Sequence, residues 1–142
     1  MKGKAFLVVM IFGLIAAFSG CAGSKIYLMD VKYLSEKKAP PTAKVVGICS
    51  FEDRRKEKDK DIIGVRRRPG KNVDLLRLEK VSLSEAVTQA VRDYFVDNGF
   101  EVTDCKGWDK SPEGLDRLPK DLILVVGGEI DSFVVEAKSG VT

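Results

Sequence analysis

The sequence predicts an α+β fold, a small mixed β-sheet with one main amphipathic helix packed on it. Three stretches carry that reading. AKVVGICSF, Ala43 to Phe51, is a short β-branched run. VSLSEAVTQAVRDYFVDNGF repeats apolar residues at helical spacing, and Leu122 to Ala137 is largely apolar with an interruption at Gly127-Gly128. Short runs rich in Val and Ile read as strands, whereas recurrence at three and four residues reads as a helix.

The chain opens on a leader, residues 1–20, in three zones. Lys2 and Lys4 form a basic start, Ala5 to Phe18 an apolar stretch broken only by Gly13, and Ser19-Gly20 a small pair before Cys21. The apolar zone is well short of the roughly 20 residues that span a bilayer, and the polar sequence after it carries no stop-transfer flank. FSGC resembles the lipobox of bacterial lipoproteins. That resemblance implies cleavage before Cys21 and acylation of its thiol and new amine, and two or three acyl chains anchor stably where one binds reversibly. Position 22 is Ala and not Asp, which in Gram-negative lipoproteins of the kind this resembles implies export to the outer membrane, facing the periplasm.

Without the leader, Lys+Arg falls from 24 to 22 against 21 Asp+Glu, a net charge of about +1. Nucleic acid is therefore not expected as a partner, since its binding needs positive charge massed on one face. Residues 21–43 read as the lipidated Cys and a tether whose Pro40-Pro41 end is a stiff spacer. Within it, Ile26 and Tyr27-Leu28 are apolar enough to dock on the domain. Residues 44–142 suffice for one small domain.

That domain begins with the strand at Ala43 to Phe51. Some thirty residues then precede the helix, too many for a structureless loop. DIIGVRR and NVDLLRL flank RPGK, in which Pro69 and Gly70 suit the second and third positions of a type II turn. A hairpin near 62–78 is the reading, with a mobile charged insertion as its competitor. The helix is expected over 83–98: Leu83, Ala86, Val87, Ala90, Val91, Tyr94 and Phe95 share a face, Ser82 and Glu85 form a capping box, and Asn98-Gly99 is a left-handed stop. Phe100 to Thr103 reads as a strand. Leu122 to Ala137 reads as one long strand or two, kinked at the glycine pair.

FEDRR (Phe51 to Arg55), Ile63-Gly64, DNGF (Asp97 to Phe100) and LILVVGGEIDSF (Leu122 to Phe133), set behind the leader, resemble the YajG-type family of uncharacterised bacterial lipoproteins. The resemblance implies an α+β domain and supplies no catalytic residue. Members of that family continue into further strands beyond a point like Thr142, which implies a C-terminally truncated chain here.

The chain has no histidine, which removes Ser-His-Asp and Cys-His nucleophile arrangements and the commonest ligand of zinc and copper. There is no phosphate-cradling glycine loop, and the Asp59-Lys60-Asp61 stretch has Gly70 where a calcium loop needs its twelfth-position Glu. No cofactor and no metal is expected. Glu52, Asp53, Asp59 and Asp61 alternate with Arg54, Arg55, Lys56, Lys58 and Lys60, the pattern of a solvated face. Asp53 with Arg54 or Arg55 is the most site-like group, an ion pair or turn cap being its plainer explanation. Arg66, Arg67 and Arg68 suit either anionic lipid headgroups or a charged hairpin edge that blocks sheet pairing. Trp108 is either a partner anchor or a lid on the core edge. Cys49, inside VVGICSF, reads as a small buried hydrophobe sooner than as half of a bridge to Cys105.

Two functions fit. The first is a non-catalytic binding or envelope-associated module, attached to the membrane through Cys21, whose partner is an envelope protein docking at a sheet edge formed by Glu129 to Ala137. The second is a carboxylate-dependent hydrolase of an envelope component, using Asp53.

Overall fold

The computed structural model describes residues 23–35, 37–68, 73–106 and 108–138. The leader, Cys21 and the Pro69-Gly70 turn lie outside the described residues. In chain order the elements are β1 (Ile26–Met29), β2 (Val45–Ile48), β3 (Glu52–Asp53), β4 (Ile62–Arg67), β5 (Val73–Leu78), α1 (Leu83–Asp97), β6 (Glu101–Asp104), α2 (Pro112–Leu115), β7 (Leu122–Val126), β8 (Glu129–Ile130) and β9 (Val135–Lys138). This is an α+β domain with one main helix.

The strands form three sheets where one was expected. One orders β1-β5-β4-β9, a second β6-β2-β7, and a two-stranded ribbon pairs β3 with β8. The expected hairpin is the antiparallel β4–β5 pair, flanked by β1 and β9, each running parallel to its neighbour. All pairs of the second sheet are parallel, as is the ribbon. The first strand is shorter than 43–51, because the chain bends after Ile48 and resumes pairing at Glu52. There Cys49 N–H donates to Val126 O at 2.8 Å and Glu52 N–H to Gly128 O at 3.0 Å, so the ribbon prolongs the second sheet past the bend.

The helix begins where the capping box places it: the Ser82 hydroxyl accepts from Glu85 N–H at 3.2 Å, and the Glu85 carboxylate accepts from Ser82 N–H at 2.9 Å. It ends at Asp97. Gly99, at φ +82°, turns the chain out through the left-handed region, and Phe100 N–H closes back on Phe95 O at 3.0 Å. Leu83 and Ala86 are buried on its apolar face, whereas Tyr94, expected on the same stripe, is exposed and meets the rings of Tyr33 and Phe95 edge-on.

The segment read as a tether is docked. Tyr27 and Met29 of β1 pack on the core formed by Ile63, Leu76, Leu78, Leu83 and Ile130, while Ile26 and Leu28 face out, the alternation of a half-buried strand. Further along, Ala39 N–H donates to Asp97 O at 2.7 Å and Thr42 N–H to Gly99 O at 2.6 Å, which lays Pro40-Pro41 against the helix exit. The proline pair thus braces the α1–β6 turn and spaces nothing from the body of the fold. The final apolar run breaks twice, at the glycine pair as expected and again over 131–134, where the chain leaves β3 and crosses to β4.

Candidate functional site

The second sheet has β2 at its centre, with the chain proceeding through α1 to β6 on one side and later to β7 on the other. Crevices open beyond the carboxyl ends of parallel strands where the strand order diverges in this way. One does here. A cleft of about 440 Å³ is lined by Ile48, Cys49 and Ser50 after β2, Asp104, Cys105 and Lys106 after β6, and Trp108 and Lys110 from the following loop.

Each wall has a local cause. Trp108 lays its ring on Cys49, Cys105 and Leu118 and spends its indole N–H on Ser111 O at 2.9 Å. It is a lid on this core edge, one of the two sequence readings, and also a wall of the cleft. Lys110, in the left-handed region at φ 65°, reaches Glu52 at 3.3 Å and Glu129 at 3.4 Å. Arg54 meets the same two carboxylates at 3.2 and 3.0 Å. Arg54 and then Lys110 beside Glu52 hold its carboxyl below the usual range. Asp104 is engaged by Arg92 of α1. Burial, followed by the neighbouring Cys105, pushes the Cys49 thiol up to about 12, so at neutral pH it is not a nucleophile.

Asp53 lies outside this cleft. Residues two apart on extended chain share a face, and Arg55 uses that to grip Asp53 with a fork: Nε donates to Oδ1 at 3.0 Å and Nη2 to Oδ2 at 2.8 Å. Arg55 is 3% exposed and also donates to the carbonyls of Lys60 and Ile62, at 2.5 and 3.0 Å. This pair pins the start of the 54–61 loop. Arg55 foremost holds the Asp53 carboxyl down at about 2.

The three consecutive arginines are separated by their partners. Arg66 sits over the Tyr27 ring at 5.3 Å, Arg67 meets Glu136 at 3.1 Å, and Arg68 meets Asp74 at 2.8 Å. They tie β4 to β1, β9 and β5 in turn. Asp74 is wholly buried and accepts Lys25 N–H at 2.9 Å as well. Sequence reading missed Asp74, although its phase with Leu76 and Leu78 places it on the inward face of β5. It also missed the Glu52–Glu129 pairing, which needs β3 and β8 side by side.

Among the described residues, β1 and β9 are the edges of the four-stranded sheet and β6 and β7 those of the three-stranded one. The two edges late in the chain, β7 and β9, differ in chemistry. β9 presents Glu136, whereas β7 is LILVV with Ile123 56% and Leu124 46% exposed, beside an apolar groove that Leu115 and Pro119 help to line. Among the described residues no helix is long and apolar enough to cross a membrane, and no group of three His, Cys, Asp or Glu side chains could hold a metal ion. No family model, no curated protein and no solved structure matches the chain, so its reading rests on this geometry.

Proposed function

We propose that the protein is a lipoprotein of the YajG-type kind, anchored through Cys21 in the outer membrane and facing the periplasm, whose domain is a non-catalytic module that takes a partner's strand at an open sheet edge. The observation that carries this reading is β7: an edge strand of five apolar residues, two of them exposed, is a template for another chain. The sequence expectation put the docking edge at Glu129 to Ala137. We take it to be β7 instead, because β8 is engaged by β3, β9 carries a charged, salt-bridged face and β7 adjoins an apolar groove.

The hydrolase alternative draws no support from Asp53. Both its oxygens are occupied by Arg55, Lys60 stands 3.6 Å away, and a carboxyl held near 2 is a poor general acid or base at neutral pH.

A photoreactive amino acid at position 123 tests the reading in intact cells, with the exposed position 79 as control. Adducts are expected from position 123 and not from 79, and Leu124→Lys is expected to abolish them without moving the thermal midpoint. Labelling at 123 no stronger than at 79 would defeat the proposal.

A further inference from the structure

The cleft floor is made by two thiols that the cleft itself does not use. The β2–β6 ladder pairs Ile48 with Asp104, and Cys105 N–H donates to Ile48 O at 3.0 Å, so the next step of the register sets Cys49 beside Cys105. Opposed residues of neighbouring strands point to one face, and their backbones run about 4.8 Å apart, inside the Cα window of about 4.4–6.8 Å that a disulfide accepts. The sulfur of Cys105 leans toward β2. It occupies the space a side chain on Gly47 would fill, 2.3 Å from where that Cβ would stand, and Gly47 shares the face of Cys49. Both thiols are free, both are buried (6% and 7% exposed), and both belong to one cluster with Leu118. The sequence foretold the burial of Cys49 and set it against a bridge to Cys105, whose place beside it only the register reveals.

We propose that Cys49 and Cys105 are a disulfide pair, closed during folding and before Trp108 and Leu118 cover it, which cross-links β2 to β6 beneath the cleft. The oxidant is a disulfide, low-molecular-weight or protein-borne. One cysteine thiolate attacks it, forming a mixed disulfide and expelling a thiolate that takes up a proton. The second cysteine, losing its own proton, attacks the protein-side sulfur and releases the second thiol. Two electrons and two protons pass from the protein to the reagent. Timing follows from burial: exchange needs an accessible thiolate, and in the closed fold both cysteines are nearly covered while burial holds the Cys49 thiol protonated.

The test uses the full chain carrying Cys21→Ser, which leaves two thiols of the original three. Unfolded, reduced chain is refolded in a mixture of reduced and oxidised glutathione, and in parallel the folded, reduced chain is placed in the same mixture. Refolded chain is expected to lose both titratable thiols under denaturing conditions, to yield a peptide joining Cys49 to Cys105, and to unfold at higher urea than the reduced form. Folded chain is expected to keep both thiols over the same interval. Two free thiols after refolding, or glutathione left on single cysteines, would overturn the pairing. Oxidation of the folded chain as fast as the refolding one would overturn the order of events.

Discussion

At the scale of single residues, the chemistry that looked most like a site is holding the fold. Arg55 places a guanidinium among Asp53, the Lys60 carbonyl and the Ile62 carbonyl, with 1% of its side chain exposed. Removing one partner of such a pair leaves the other charge and two carbonyls without donors, a loss of about 3–5 kcal/mol. Arg55→Met is therefore expected to lower stability by ~3 kcal/mol in urea unfolding. The acid side follows from Asp53. Its folded carboxyl titrates at about 2, below the ordinary 3.8, so the pair stabilises fully above about pH 4 and fades as pH falls through about 2. That share is on the order of 1 kcal/mol once solvent screening is allowed for. Wild-type stability should drop more steeply than that of Arg55→Met between about pH 4 and pH 2, and parallel pH profiles would defeat this account. The sequence carried half of this. The i, i+2 phase joins Asp53 to Arg55 in extended chain, but only the loop that folds back over Arg55 explains why it, and not Arg54, is buried.

At the scale of elements, legibility tracked how local the cause is. The helix was readable because its capping box, apolar face and left-handed exit all lie within twenty residues of one another. The hairpin was readable from its flanking runs. The partition into three sheets was not, since every pair in the second sheet and in the ribbon is parallel and joins segments far apart in sequence. The final run shows the difficulty in detail. Its apolar residues fall on both faces, which suggests a strand with neighbours on each side. In the fold, Ile130 points into the core from beside β3, while Phe133, Val135 and Ala137, in the opposite phase, pack on that core from beside β4. A change of sheet between them shifts the phase by one residue. Gly64 makes the second half possible, because a Cβ there would stand 1.9 Å from the carbonyl oxygen of Val135. Backbone cannot yield as a side-chain tip can. Gly64→Ala is expected to cost ~2–3 kcal/mol and to strip hydrogen-exchange protection from β9 while sparing α1. Unchanged protection over Val135 to Lys138 would show that β4 and β9 are not held this closely.

At the scale of the whole molecule, the docking of β1 changes how the domain would stand on a membrane. A tether of some twenty free residues would let it drift, with its orientation unspecified. The fold instead begins at Lys25, whose N–H is held by buried Asp74, so three residues, four steps of chain, separate Cys21 from fixed structure. They span at most about 14 Å. Arg68 lies within 3.5 Å of the Gly23 carbonyl, which puts the arginine end of β4 two residues along the chain from Cys21, the proposed point of acylation. Arg67 is the residue free to use that proximity: its side chain is 74% exposed, and its contact with Glu136 is a surface pair worth ~0–1 kcal/mol. A headgroup phosphate offers about as much per arginine near an anionic surface, so exchange of Glu136 for lipid is nearly free. Given acylation of Cys21, a photoreactive amino acid at position 67 is expected to label phospholipid in membranes holding the full chain. Insertion of about twenty Gly/Ser residues after Ala22 restores a long flexible lead and should reduce that labelling several-fold. Cys21→Ser should abolish it, together with membrane retention. Labelling that survives the spacer undiminished would mean that the short lead does not set the orientation, and retention of Cys21→Ser in the membrane would remove the anchor on which it depends.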